Sequence, residues 1–547
     1  MRGQAPAGVY AEAIYTGGQI LTCDLAFGVA EALAVRDGCV LAVGADGEIA
    51  ALAGPGTRRE ALAGRTVLPG LIDAHCHVLA TGLLLGNVQL YDCRSIDDIL
   101  EKVAARARET PPGAWIVGRG WDESLLAERR HPTRHELDRA APEHPVCLHR
   151  VWNKLVANSR ALAAAGITRA TPDPDPAEPY AGSFERDEHG EPTGLFRDRA
   201  KDLITRHIPP DTVDDMIAAL GRVARAFNAV GLVGAADPGL YPDDLRAYQQ
   251  ARDDGALTLR AALCLAGWGF GTAAWEPRIK PWVESLGVHG DFGDDRLWLD
   301  AVKFMVDGGI GDRTAAVSAP YEGSDDRGRF IVPPEELPAL VRWCHDRGWS
   351  VESHTCGDRA QDAVVAAYAA AYDAPGPRLR HRVHHAYLPT PGTLDLMARH
   401  RIPAILNPPF LYYMGDSFVA SLGAARADRM KPARTYLDAG VPLAGSSDST
   451  VSDYNPFVGI ATMVLRRTLT GHALDQGERL SREEAIRLYT SGAAYALRRE
   501  RAWGSLEPGK WADFVVLDRD ILTCPDEEIA AIRPLRTVLG GATVYEA

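Results

Sequence analysis

The sequence predicts an α/β fold: a (β/α)8 TIM barrel with a long insertion after its first strand, plus a small β-sandwich domain built from both termini. Three observations predict it. Through the middle of the chain, apolar β-branched runs alternate with helical patterns, the arrangement of parallel βα units. Eight such runs can be counted, the number that closes a barrel. The first and last stretches, 9–66 and 504–547, instead carry short strand-like runs broken by Gly and Asp turns, and two edge-prone fragments of that kind can complete one β domain together.

In chain order, strands are expected at 13–15, 18–21, 32–35 and 40–44, with turns at Arg36-Asp37-Gly38 and Ala45-Asp46-Gly47, as a small antiparallel sheet. The barrel strands are expected at 66–72, 231–235, 257–265, 297–305, 349–354, 382–386, 402–406 and 442–445, with helices at 358–372 and 481–498 among the connections. About 155 residues separate the first two barrel strands, too many for one crossover helix, so an insertion is expected at roughly 90–225. Its Pro/Asp-rich centre, 171–176, reads as a stiff loop. Strands at 513–518 and 536–541 complete the terminal domain. The expected division is 1–66 and 504–547 for the β domain and 67–503 for the barrel.

Composition narrows the function. The net charge of −14 and the lack of any basic run argue against a sequence-independent grip on nucleic acid or an anionic membrane. Nine scattered cysteines without a CxxC pair argue against a disulfide framework or thiolate zinc site and suit a reducing compartment. No apolar secretory segment is apparent. A cytoplasmic protein acting on a small molecule is expected, with a homo-oligomer left open.

The strongest chemical signal is the run 68–77, an apolar strand ending in His75-Cys76-His77. Residues two apart on a strand share a face, so both imidazoles would aim into the barrel mouth, where a borderline divalent metal needs them. His354 ends the fifth strand as a third imidazole; Asp358, with Gln361 three residues on, reads as a helix N-cap and capping box. His384 and His385 should face opposite sides of the sixth strand, so only one is expected at the mouth, and His385 is chosen. Asp448 follows the eighth strand, where a carboxylate can ligate a metal and act as general base. Lys303 is an odd charge in the apolar fourth strand; a salt bridge to Asp307 ranks first, and carboxylation to an anionic bridge between two metal ions is the alternative. Trp121, Asp122, Arg313 and Tyr412 are weaker candidates for substrate contacts, each with an ordinary packing or surface role beside it.

Together these segments resemble the amidohydrolase superfamily of metal-dependent hydrolases, and within it the family 3 branch that includes N-substituted formamide deformylases. The resemblance is carried by 68–77, by Val302-Lys303-Phe304 with Asp307-Gly308 and Arg313-Thr314-Ala315, by His354 with Gly357-Asp358-Arg359-Ala360, and by 504–513. Pro132-Thr133 to Leu137-Asp138 and Asn158-Ser159 to Ala161-Leu162 extend it into the insertion. It implies that His75 and His77 bind a first metal, Lys303 is a carboxylated bridge, His354 and His385 bind a second metal, and Asp448 ligates the first and moves the proton, with His385 or a metal polarising the carbonyl. One or two ions are implied, zinc being favoured by imidazole ligands. The implied reaction is cleavage of a C–N bond in an amide, N-formyl or cyclic amide compound by metal-activated hydroxide. A mononuclear ring deaminase and a non-catalytic regulatory homologue are the alternatives. Two departures stand out: Arg382-Val383-His384-His385 carries a histidine where relatives often have a carboxylate, and Trp152-Asn153-Lys154 lacks an expected histidine.

Overall fold

A computed structural model describes residues 10–123, 125–150, 154–175, 182–267 and 279–547. The chain divides into two compact units, one formed by Met1–Thr81 with Leu220–Ala547 and the other by Gly82–Ala219.

The first unit holds the barrel. Its strands are β1 (Leu71–Asp73), β2 (Leu232–Leu240), β3 (Arg260–Ala266), β4 (Leu297–Met305), β5 (Ser350–His354), β6 (Arg382–His384), β7 (Ala404–Leu406) and β8 (Leu443–Gly445). Neighbours in sequence pair in parallel from β1 to β8. The ring is drawn together just beyond β1 and β8, where Ala74 N–H donates to the Gly445 carbonyl at 3.1 Å. These strands are buried along almost their whole length, which is why they read as continuous apolar runs rather than alternating ones.

One expected strand divides. The run 66–72 reads as a single barrel strand, but it breaks at Gly70: Thr66–Pro69 pairs with Gln19–Leu21 and Phe514–Leu517, and only Leu71–Asp73 joins the barrel. Gly70 is needed for close approach, since a Cβ there would lie 2.4 Å from Val233 Cγ2. The helix expected over 481–498 also divides, into Arg482–Leu488 and Ser491–Ala496, at Thr490 with φ −129° and ψ −103°.

Both chain ends build a sandwich. One sheet runs Cys39–Gly44, Ala32–Arg36, Ala11–Thr16, Ala53–Ala61; the other runs Ala542–Glu546, Pro534–Leu539, Phe514–Leu517, Thr66–Pro69, Gln19–Leu21, Val29–Ala30. Tyr15 of the first meets Phe514 of the second edge to face at 5.0 Å, within an apolar core drawn from both. The N-terminal sheet is mixed rather than purely antiparallel, because Ala11–Thr16 runs parallel to Ala53–Ala61. Asp37 and Gly38, with φ of 50° and 71°, make the tight hairpin turn that their sequence announces. The second expected turn, at 45–47, instead opens the short helix Asp46–Ala50.

The second unit carries a six-stranded sheet in the order Phe184–Arg186, Pro192–Arg197, Lys154–Ala157, Val146–His149, Ile116–Arg119, Val88–Gln89. Its two motifs are structural. Thr133 and Glu136 form a reciprocal capping box on the helix Arg134–Ala140, and Asn158 caps Ser159–Ala164 while also accepting from Val146 N–H at 2.9 Å. Asp138 joins the motifs by accepting from both Ser159 N–H, at 2.9 Å, and its hydroxyl, at 2.7 Å. Trp152, Asn153 and Pro176 lie outside the described residues. Among the described residues no helix is long and apolar enough to cross a membrane.

Candidate metal centre

Backbone bonds fix the ends of β1 and β8 against each other before any side chain is considered. Asp448 N–H donates to the His75 carbonyl at 2.9 Å and His77 N–H donates to the Ser449 carbonyl at 2.7 Å. The Asp73 carboxylate accepts from the N–H groups of His75 and Ser447, each at 3.1 Å. Asp448 itself sits at φ 53°, a left-handed conformation costly for a residue with a Cβ and often found where function requires it.

These constraints bring the Nε2 atoms of His75 and His77 each to 3.3 Å from Asp448 Oδ1. Yet Asp448 Oδ1 is buried without a hydrogen-bond partner, so the approaches lack the direction of hydrogen bonds. Imidazole nitrogens gathered around a carboxylate oxygen are the ligand types suited to a divalent cation. The protonation states agree for two of the three. Burial and the nearby Lys303 charge push His75 down to about 4, leaving it neutral. Burial alone would raise the Asp448 carboxyl, but His75, His77 and His385 hold it well below the usual carboxylate range.

His385 enters the same group: one donor atom each of His75, His385 and Asp448 lies within 4.8 Å of the others. His385 Nδ1 lies 2.8 Å from Asn407 Oδ1. That oxygen also accepts from Lys431 Nζ at 3.2 Å, and Asn407 Nδ2 donates to Ser446 Oγ at 2.8 Å. The amide orientation is therefore set and His385 donates its Nδ1 proton to Asn407, while the same Nδ1 lies 3.9 Å from Asp448 Oδ2. Lys431 Nζ further donates to the His385 carbonyl at 2.8 Å and lies over the Tyr387 ring at 3.7 Å; burial pushes its amine down to about 7.

The expectation that only one of His384 and His385 can face the site is corrected. His385 lies past the end of β6 at φ 71°, which breaks strand alternation, so both rings turn inward. The His75 ring centroid is 4.4 Å from that of His384 and 5.4 Å from that of His385. The salt bridge between Lys303 and Asp307 is also corrected. Asp307 is occupied by the N–H groups of Ala316, Cys356 and Gly357, at 3.0, 2.9 and 2.7 Å. Lys303, almost fully buried, instead has its Nζ 3.5 Å from His75 Nε2. Asp358 is not the N-cap of its helix, a position held by Gly357; its carboxylate accepts from Ser318 N–H at 2.7 Å.

His354 stands beside the cluster, its ring 4.4 Å from that of His385, with Nε2 directed at the Gly308 carbonyl at 3.1 Å. Burial and Lys303 push it down to about 3. The substrate-side candidates have other partners. Arg313 donates to the carbonyls of Glu322 and Ala420, at 3.1 and 3.0 Å, and Tyr412 meets Tyr413 edge to face at 4.9 Å. In the second unit Trp121 is a core residue and Asp122 accepts from Arg150 at 3.3 Å. Sequence reasoning assigned no role to Glu352, Asn407 or Lys431. Glu352 could have been flagged as a second odd charge in an apolar strand, opposite Lys303 in register, and Asn407 by its place just after β7. Lys431 carries no local signal.

The description "Amidohydrolase family" matches residues 60–545. The chain is 32% identical to the putative amidohydrolase YtcJ of Bacillus subtilis (strain 168), covering 98% of this chain and 99% of that one. It is 30% identical to the N-substituted formamide deformylase of Arthrobacter pascens, covering 96% and 97%. Among solved structures, an uncharacterized metal-dependent hydrolase from Pyrococcus furiosus is 26% identical, with a TM-score of 0.76 over 93% of this chain and 100% of that one.

Proposed function

Because the chain belongs to the amidohydrolase family, we propose that it is a metal-dependent hydrolase that cleaves the C–N bond of an amide, N-formyl or cyclic amide small molecule, with zinc as the resident ion. One observation carries this reading: a donor atom of each of His75, His385 and Asp448 lies within 4.8 Å of the others, with His77 Nε2 3.3 Å from Asp448 Oδ1. These residues would hold the ion, with His354 and a carboxylated Lys303 available to a second. When bound, a divalent cation acidifies water and polarises a carbonyl oxygen.

The chain's own residues supply the rest. Asp448, ionised and buried, accepts a proton from the attacking water and returns it to the leaving nitrogen. His385 would serve as a ligand to the ion rather than as a donor to the substrate carbonyl, and a bound ion would supply the polarisation. Asp73 keeps His75 and Ser447 in register, and Asn407 with Lys431 keeps the His385 ring turned inward. The nine free thiols and the anionic surface are compatible with a cytoplasmic enzyme acting on a soluble small molecule.

The test uses zinc-loaded protein against a panel of N-alkyl formamides, N-acyl amines and cyclic imides, with amine release as the readout. Asp448→Asn is expected to retain some metal and lose about 10²–10⁴-fold in turnover, the range for a missing general base. Undiminished turnover in that variant would remove Asp448 from the mechanism.

A further inference from the structure

The proposed mechanism leaves Glu352 and His384 unused, although both are fully buried beside the ligands it employs. We propose that His75, His384 and Glu352 form a second, inner seat for a borderline divalent cation, separate from the group around Asp448.

Three observations carry it. A donor atom from each of the three residues lies within 4.8 Å of the other two. Four of their polar atoms, His75 Nδ1, His384 Nδ1, His384 Nε2 and Glu352 Oε1, are buried without a hydrogen-bond partner. His384 Nε2 and Glu352 Oε2 lie 3.2 Å apart but do not bond, so the ring is not aligned to donate to the carboxylate. Two imidazoles and a carboxylate, each with an unpartnered buried atom and each lending a donor atom to one place, match the ligand chemistry of zinc or cobalt.

Charge points the same way. Behind the seat, the single guanidinium of Arg382 meets two buried carboxylates, Asp300 and Glu352, the latter at 3.0 Å. One negative charge is left over in a fully buried place, and a cation at the seat balances it. The competing cation is Lys303, next to Glu352 in strand register and 3.5 Å from His75 Nε2. Its side chain and an ion at the seat would compete for the Glu352 carboxylate. His75 belongs to both groups, and because a neutral imidazole offers one lone pair it would serve both seats together only by losing its remaining proton to solvent as an imidazolate, so loading of the two seats is coupled. The histidine at 384 is thus a ligand in its own right rather than a neutral stand-in for a carboxylate.

The test is crystallographic: full-chain crystals soaked in zinc, with diffraction recorded on both sides of the zinc absorption edge. An anomalous peak about 2.0–2.2 Å from His384 and Glu352 donor atoms is expected. In His384→Asn that peak should vanish while the peak near His77 and Asp448 persists, and bound zinc per chain should fall correspondingly. Glu352→Gln, equal in shape, gives the same readout if the first variant fails to fold. A peak near Asp448 alone, with a water or a direct His384–Glu352 hydrogen bond at the inner position, would overturn the inner seat and leave the proposed hydrolase intact. Absence of both peaks would overturn both.

Discussion

At the scale of single residues, His385 is the side chain whose orientation depends most on its neighbours. Its left-handed backbone is held by Lys431 at the carbonyl and its ring by Asn407 at Nδ1. Asn407→Leu removes the acceptor that fixes the tautomer, so metal affinity is expected to fall about 10–100-fold, the usual effect of losing such a partner. Competition with a chelating indicator measures this, and unchanged affinity would show that the ring holds its place unaided. The residues legible in the sequence were those whose position alone implies a direction. His75, His77 and Asp448 lie at strand ends facing the mouth. His384 was not legible, because alternation holds only while the backbone stays extended, and it leaves that state at His385. Glu352 and Asn407 carried only a weak local signal and Lys431 none, because the partners that give them their roles lie far away in the chain.

At the scale of elements, the helix Arg134–Ala140 shows how a motif that contributes to the resemblance can serve folding rather than chemistry. Glu136 closes the capping box and pairs with Arg130 at 2.7 Å. The Arg130 guanidinium and the Thr133 N–H hold its carboxyl down from 4.5 to about 2. A depressed acid stabilises the fold above its unfolded pKa and loses that contribution as pH falls through the folded value, so the sensitive window runs from about 4.5 down to about 2. Glu136→Gln is expected to weaken the helix at neutral pH by about 1 kcal/mol, the typical worth of a cap, and to flatten its response within that window. Hydrogen exchange across Arg134–Ala140 reads both effects; an unaltered acid response would assign the stability elsewhere. Among elements, the eight barrel strands were legible because burial on both faces gives them an uninterrupted apolar signature. The division of 66–73 between two sheets was not, since nothing local in one short apolar run tells which sheet claims each half. The close approach of Gly70 to Val233 settles it in three dimensions.

At the scale of the whole first unit, the two chain ends meet the barrel through Asp513. Its carboxylate takes Arg260 of β3 in a bidentate pair at 2.6 and 2.9 Å, accepts Gly540 N–H at 2.7 Å, and its carbonyl accepts Gly70 N–H at 2.9 Å. Trp511 lies against the Arg260 guanidinium at 3.8 Å. The segment 504–513, conspicuous in the resemblance, is therefore a structural joint between sandwich and barrel. Asp513→Ala strands a buried guanidinium and is expected to cost about 3–5 kcal/mol, seen as a lower midpoint of chemical unfolding. A variant as stable as the parent would mean that the joint is held by packing alone.

The same unit gathers residues far apart in the sequence around one donor set, His75 from just beyond the first barrel strand and Asp448 from beyond the last. Its purpose is most directly tested by stripping the protein of metal with a chelator, restoring zinc in measured steps, and following amine release from the amide and formamide panel. Turnover should disappear on stripping and return in proportion to the zinc bound, while His75→Ala should neither retain the ion nor recover. Turnover that survives complete stripping, or full recovery in His75→Ala, would contradict it.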